Sequence, residues 1–259
     1  TQPELYVVRP FGVGLGFGVN FIEVWHAGRE AVLYTPVSIA LTVGLGLLLG
    51  KMLATPAKTS ILISFGTAIC GGSAIAAMAP VINADDDDTS VSLATVFSLN
   101  AVALLVFPLL GHLFGLTERQ FGLWAALAIH DTSSVVGAAS SFGSSALVIG
   151  TTVKLARAVW IAPSALIASR LTRTRTKTTI PLFIVGFIAA AAVRSWLPGL
   201  TDIWQLLAAM ARQGLVVTLF LVGNGLTREV LRRVGLRPLV QGGLLWITAS
   251  TAVLMAIIG

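Results

Sequence analysis

Charge is scarce in this sequence. Asp, Glu, Lys and Arg make up 11% of the 259 residues, where a soluble domain carries about 25%. So few charges cannot cover a surface that faces water, although they suffice for one that faces lipid. Cysteine is scarcer still. Cys70 stands alone, which excludes an internal disulfide and a Cys-based zinc site. The three histidines, His26, His112 and His130, are far apart, and there is no H-E-x-x-H, P-loop or G-x-S-x-G pattern. Enzyme chemistry has no foothold here, and no pattern calls for a cofactor or a metal. Gly12, Gly14, Gly16 and Gly18 are no dinucleotide fingerprint, because the spacing is wrong and no strand precedes them. They do form small-x-x-x-small pairs, common in packed membrane helices. The chain starts at Thr1 without a signal-peptide pattern.

Apolar length is what the sequence has in abundance. It is 56% hydrophobic, with a mean hydropathy of +0.90. Nine apolar segments can be marked, A to I: 5–24, 31–52, 59–82, 90–113, 120–142, 145–169, 179–197, 203–226 and 238–258. Each is long enough to cross a hydrocarbon core as a helix. Helices are the default there because backbone groups must be satisfied internally, and the period-2 alternation of outer-membrane strands is missing. The expectation is an all-α, polytopic transmembrane helix bundle of about nine spans. It forms one transporter-sized domain, residues 1–259, in a bacterial inner membrane.

The net charge of +6 would hint at nucleic acid in a soluble protein, but no basic groove with interleaved aromatics is present. Topology accounts for it better. With the start of segment A inside, twelve basic residues fall on the inside, eleven on loops, among them Lys51, Lys58, Arg119, Arg170 and Arg237, and Arg9 at the inner end of A. Only Arg29 and Arg194 fall outside, along with Asp85 to Asp88. That is a positive-inside bias. One internal echo is visible: Gly16-Phe-Gly18 and Gly28 recur as Gly223-Asn-Gly225 and Gly235, as an inverted repeat would.

Two spans are interrupted. Segment C contains Cys70-Gly71-Gly72-Ser73. Paired glycines weaken a helix by about 1 kcal/mol each, and Ser73 is suited to cap a new helix start. A broken helix would aim a positive N-terminus at the membrane middle, an anion-binding arrangement. The alternative is close packing of small residues. Segment E carries His130-Asp131-Thr132-Ser133-Ser134 at its centre. A charge there costs at least about 2.5 kcal/mol, so a functional site is expected. His130 titrates near neutrality and is a candidate proton carrier with Asp131. The alternative is that His130 and Asp131 satisfy each other within a packed bundle.

Lys154 and Arg157 share a helix face in segment F, and Arg212 lies within H. With Asp131 the one firm acid inside the spans, the interior is positive and suits an anion. A structural ion pair of Asp131 with Lys154 or Arg157 is the competing account. Asn100, in the middle of D, could line a cavity or bond across helices. Asp85 to Asp88 read as a solvated, favourably placed helix N-terminus.

The runs 66–77, 97–105 and 128–138, with Lys154-Leu-Ala-Arg157 and Gly225-Leu-Thr227, resemble the YeiH-like family of bacterial membrane proteins, to which sulfate export is ascribed. More distantly the chain is similar to the bile acid:sodium symporter superfamily. That resemblance implies two inverted repeats with crossing broken helices, and cavity roles for Ser73 and for Thr132 to Ser134. It also implies one or two helices before Thr1. The leading expectation is a secondary transporter of a small anion, sulfate, a sulfonate or a related organic anion, working by alternating access. Gly71, Gly72, Ser73, Asn100, Thr132, Ser133, Ser134, Lys154 and Arg157 would hold the substrate, with His130 and Asp131 coupling protons. A sodium-coupled organic-anion symporter, with Asn100 and Asp131 as sodium ligands, is the second reading. A non-transporting membrane module or complex subunit is the third. The partners are therefore the anion, a coupling proton or sodium, and the lipid bilayer.

Overall fold

The computed structural model describes residues 13–14, 16–18, 21–172, 182–224 and 235–259, and these are helix, turn or loop throughout. A 3-10 turn at Gly16–Gly18 precedes α1 (Phe21–Met52). Then come α2 (Ala57–Ala68), α3 (Gly72–Met78), α4 (Asp86–Leu113), α5 (Glu118–Ala128) and α6 (Thr132–Phe142). They are followed by α7 (Ser144–Ala158), α8 (Ile161–Thr172), α9 (Leu182–Trp196), α10 (Thr201–Asn224) and α11 (Leu236–Ile258).

Local chemistry explains most of these limits. Asp85 caps α4 by accepting the Asp88 amide at 2.7 Å, and Asp86 to Asp88 complement the positive end of the same helix. Thr117 and Gln120 form a capping box at the start of α5. The division between α7 and α8 falls at Val159-Trp160. Pro163 has no N–H to return to Val159, which weakens the helix at this point. Segment F, expected as one helix, is therefore two.

Large apolar side chains form an outward stripe on α4, where Val102, Leu105, Leu109 and Leu113 are exposed. Val37, Leu41, Leu48 and Met52 do the same on α1, and Leu244, Ile247, Met255 and Ile258 on α11. Apolar surface of this extent marks a lipid-facing wall. Among the described residues four stretches are long and apolar enough to cross a membrane: 35–52, 86–113, 144–170 and 236–258. Inside, Phe107 stacks between Trp124 and Trp246 at centroid distances of 4.1 and 5.8 Å.

The chief departure from expectation concerns segments C and E, which turn back instead of crossing. The Lys58 ammonium, at the start of α2, donates to the Asn83 carbonyl at 2.6 Å. Thr59 donates to the Asp88 carboxylate at 2.6 Å, and Ser92 reaches the Thr59 carbonyl. The start of α2 and the chain after α3 thus lie at the same end of the bundle. Residues 57–84 form a re-entrant hairpin, in which Gly66 of α2 lies against Ile75 of α3.

Residues 118–142 do the same from the other end. The Glu118 carboxylate accepts the backbone amides of Ser145 and Ala146 at 2.7 and 3.3 Å, closing the start of α5 onto the start of α7. Phe121 and Phe142 stack at 3.9 Å across the base. The α4 helix, about 42 Å long at 1.5 Å per residue, joins the two ends. Its far end packs Gly111 and His112 against Phe121 and Phe142.

The glycine echo also changes. Gly28 is inside α1, whereas Gly235 precedes α11 with φ 76°. Gly12, Gly225 and Thr227 lie outside the described residues, as do Arg9 and the basic residues of 173–177 and 228–233. The side chains of Glu23, His26, Arg29 and Arg212 lie outside them too.

Candidate functional site

The two hairpin tips meet. Gly71 turns the first tip with φ 61°, a left-handed value that favours glycine. A Cβ placed there would sit 3.4 Å from the carbonyl carbon and oxygen of His130, at the second tip, and 3.4 Å from Val96. Val96 and Asn100 belong to the middle of α4, and Asn100 Oδ1 accepts the His130 amide at 3.0 Å. The tips therefore touch at mid-height of the bundle, and α4 braces the junction.

The second tip is heavily serviced. A helix ending inside the protein leaves four carbonyls without intrahelical partners. In α5 these are Ala126, Leu127, Ala128 and Ile129, since Ala125 O still accepts from Ile129 N. Lys154 Nζ donates to Ala126 O at 3.3 Å and to Ile129 O at 2.5 Å. Arg157 Nη1 donates to Leu127 O at 2.9 Å, and Trp246 Nε1 to Ala128 O at 3.1 Å. Arg157 Nη2 also reaches Ser38 Oγ on α1 at 3.3 Å. All four carbonyls are satisfied, and two cations sit at the negative end of a helix, where they are favoured.

On the other side of the tip Asp131 caps α6. Its carboxylate accepts the amides of Ser133 and Ser134 at 3.2 and 3.0 Å and both their hydroxyls at 2.7 and 2.8 Å. An ionised carboxylate at this position complements the positive end of the helix. The competing account of a structural pair fails, and one expectation is corrected. Asp131 does not hydrogen-bond to the His130 ring, whose nitrogens have no partner, nor to Lys154 or Arg157, whose head groups bind backbone carbonyls. The N-terminus of α6 is not open to an anion, because Asp131 already fills it.

The first tip is serviced sparingly. Gly71 occupies the cap position of α3 and provides no side-chain bond. Ser73, expected as the cap, lies one residue inside a helix of only seven residues. The Cys70 sulfur takes the Ala74 amide, a weak interaction. Cys70 also lies within electrostatic reach of Lys154, Asp131 and Arg157, which places both tips and both cations in one cluster. Gly72 packs against Phe97 and Leu93 of α4.

Several buried polar atoms around this junction have no hydrogen-bond partner. They are both ring nitrogens of His130, Asn100 Nδ2, Thr67 Oγ1, Thr151 Oγ1, Thr152 Oγ1 and Arg157 Nε. Native structures leave few such atoms, so a cluster of them is functionally informative. Ser73, Asp131 and Thr132 stay half-exposed while His130, Asn100, Lys154 and Arg157 are buried. Among the described residues no group of His, Cys, Asp and Glu could hold a metal ion.

Sequence reasoning missed three contributors. Trp246 supplies a donor from α11. Glu118 closes the second hairpin. Gln241, fully buried on α11, donates to Gly46 O, Ser60 O and Ser60 Oγ, so it ties α11 to α1 and α2. It is the one amide side chain in segment I, and an amide within an apolar span is a signal for interhelical bonding.

The family model described as Conserved hypothetical protein 698 matches residues 10–242. A UPF0324 membrane protein of Geobacter sulfurreducens is 56% identical over 95% of this chain and 79% of its own length. Those of Bdellovibrio bacteriovorus and Porphyromonas gingivalis are 48% and 47% identical, each over 95% of this chain and 78% and 76% of their own lengths. No solved structure matches the chain. An all-helical chain with apolar outer walls and buried polar tips accords with these relatives, and the chain belongs to the UPF0324 membrane protein family.

Proposed function

We propose that this protein is a secondary transporter of a small anion, sulfate or a sulfonate in the first instance, in the bacterial inner membrane. The observation that carries the reading is the junction of two opposed re-entrant hairpins at mid-height, with unpartnered His130 and Asn100 side-chain atoms on it. Non-helical backbone at membrane depth is tolerated where it is buried in protein or lines a water-filled cavity. Polar groups buried there without partners are costly unless they meet a substrate or an ion. The hairpins enter from opposite ends, and Ala68-Ile69 and Ala128-Ile129 hold corresponding places in them. An inverted repeat centred on these hairpins would supply the two gates of alternating access.

In this mechanism Lys154 and Arg157 contribute positive potential while staying bound to carbonyls. Asn100, Thr132 and Ser73 contact the anion, and Ser133 and Ser134 hold Asp131 in place. His130 carries the coupling proton, since neither ring nitrogen is committed elsewhere. The test is sulfate flux into proteoliposomes. His130→Ala and Asn100→Ala are expected to lower flux at least tenfold while leaving the protein folded. Undiminished flux in both variants would overturn the assignment. Flux that requires sodium would favour the sodium-coupled reading, and absence of flux for a panel of anions would favour the non-transporting module.

A further inference from the structure

A second feature lies away from the junction. An apolar groove of about 420 Å³ runs between α1, the first hairpin and α8. Its walls include Ala40 and Val43 of α1, Ile61 and Phe65 of α2, Ile82 after α3, and Trp160 ahead of α8. The groove faces outward, where lipid covers the protein. Its α1 wall follows the helical stripe Pro36, Ala40, Val43, Leu47, which continues one turn later to Lys51. Its α2 wall follows Ile61 and Phe65, and Lys58 lies one turn before Ile61 on that stripe. Both lysines are exposed. The Lys58 ammonium is held at the Asn83 carbonyl, next to the groove residue Ile82. Two cations therefore stand at one mouth of an apolar slot, at the end of the bundle that the charge bias makes cytoplasmic.

We propose that this groove binds an anionic phospholipid, one acyl chain in the slot and the headgroup phosphate against Lys51 and Lys58. The chain is already out of water in a bilayer or micelle, so the slot adds close packing along one acyl chain and the lysines add the preference for an anionic headgroup. Basic sites between helices on the cytoplasmic side are where anionic headgroups bind. The slot touches both limbs of the first hairpin, so an occupied groove braces the tip that has few side-chain ties. The inference is independent of what the protein transports.

The experiment is thermal unfolding of the purified full chain in detergent, with added phosphatidylglycerol or phosphatidylcholine of identical acyl chains. Phosphatidylglycerol is expected to raise the apparent Tm by about 3 °C more than phosphatidylcholine. Lys51→Gln with Lys58→Gln should erase that difference. Ala40→Trp, which fills the slot from an exposed position, should remove the response to both lipids. Equal responses of the unsubstituted protein to the two lipids would overturn the proposal. A preference that survives the double lysine substitution would also overturn it. So would a dimer in detergent that Ala40→Trp dissociates, since that result gives the groove to a second copy of the chain.

Discussion

The two re-entrant hairpins are alike in outline and opposite in upkeep. Both enter the bundle, turn near its middle and leave by the end they came from. The second, 118–142, has all four terminal carbonyls of α5 bound by Lys154, Arg157 and Trp246, and its returning helix capped by Asp131. The first, 57–84, turns on a left-handed glycine with an uncapped, seven-residue returning helix. The difference teaches what the buried charges are for. In low dielectric an unpaired helix end is expensive, and the second hairpin offsets that cost with side chains. The first hairpin relies on backbone and small residues, so its tip has fewer side-chain ties. In the sequence Lys154 and Arg157 look like substrate ligands and Asp131 like a coupling group, and most of their bonding capacity goes to holding one tip.

The comparison can be broken outright by topology. In a background where Cys70 is replaced by alanine, Ala57→Cys and Ala84→Cys should react with a membrane-impermeant thiol reagent from the same side of the membrane. Labelling from opposite sides would restore a crossing helix. The next largest effect is expected from Asp131→Ala, which strips four bonds from the second tip. A loss of about 3 kcal/mol is expected in unfolding measured in detergent, since hydrogen bonds to charged groups contribute roughly 1.5–3 kcal/mol each and partly compensate when lost together.

Lys154→Met keeps the length of the stem but leaves Ala126 and Ile129 without their donor. A loss of about 2 kcal/mol is expected, the cost of the unsatisfied carbonyls exceeding the relief of a buried charge. Gly71→Ala puts a Cβ on a left-handed residue against His130, and a loss of about 1–2 kcal/mol is expected. Ser73→Ala should be the mildest, within about 0.5 kcal/mol, because Ser73 does not cap α3. If Ser73→Ala matched Asp131→Ala, the contrast between the tips would be wrong.

Much of this was legible in the residues. The apolar walls, the interruption at Gly71 and the polar run from His130 to Ser134 all stand where composition and pattern placed them. What could not be read was whether an interrupted segment crosses or returns, because 25 residues suffice for either a single span or a pair of half-length helices. Loop charge did not decide it. Two re-entrant segments reverse only the helix between them, α4. Among the described basic residues counted for orientation only Arg119 changes side, so the bias is little altered. Asp85 to Asp88 move to the basic end, which the positive-inside rule hardly registers because acids carry little weight in it.

The sequence by itself determined that this is a helical membrane protein with polar groups committed to its interior. Lipid as solvent permits few charges and demands internally bonded backbone, and both conditions are visible one residue at a time. The tertiary structure alone decided which groups those polar side chains serve. Lys154 and Arg157 are 25 to 30 positions from the carbonyls they bind, and Trp246 is 118 from its own. The donors meet those carbonyls because a hairpin turns back inside the bundle and leaves a helix end within the protein interior.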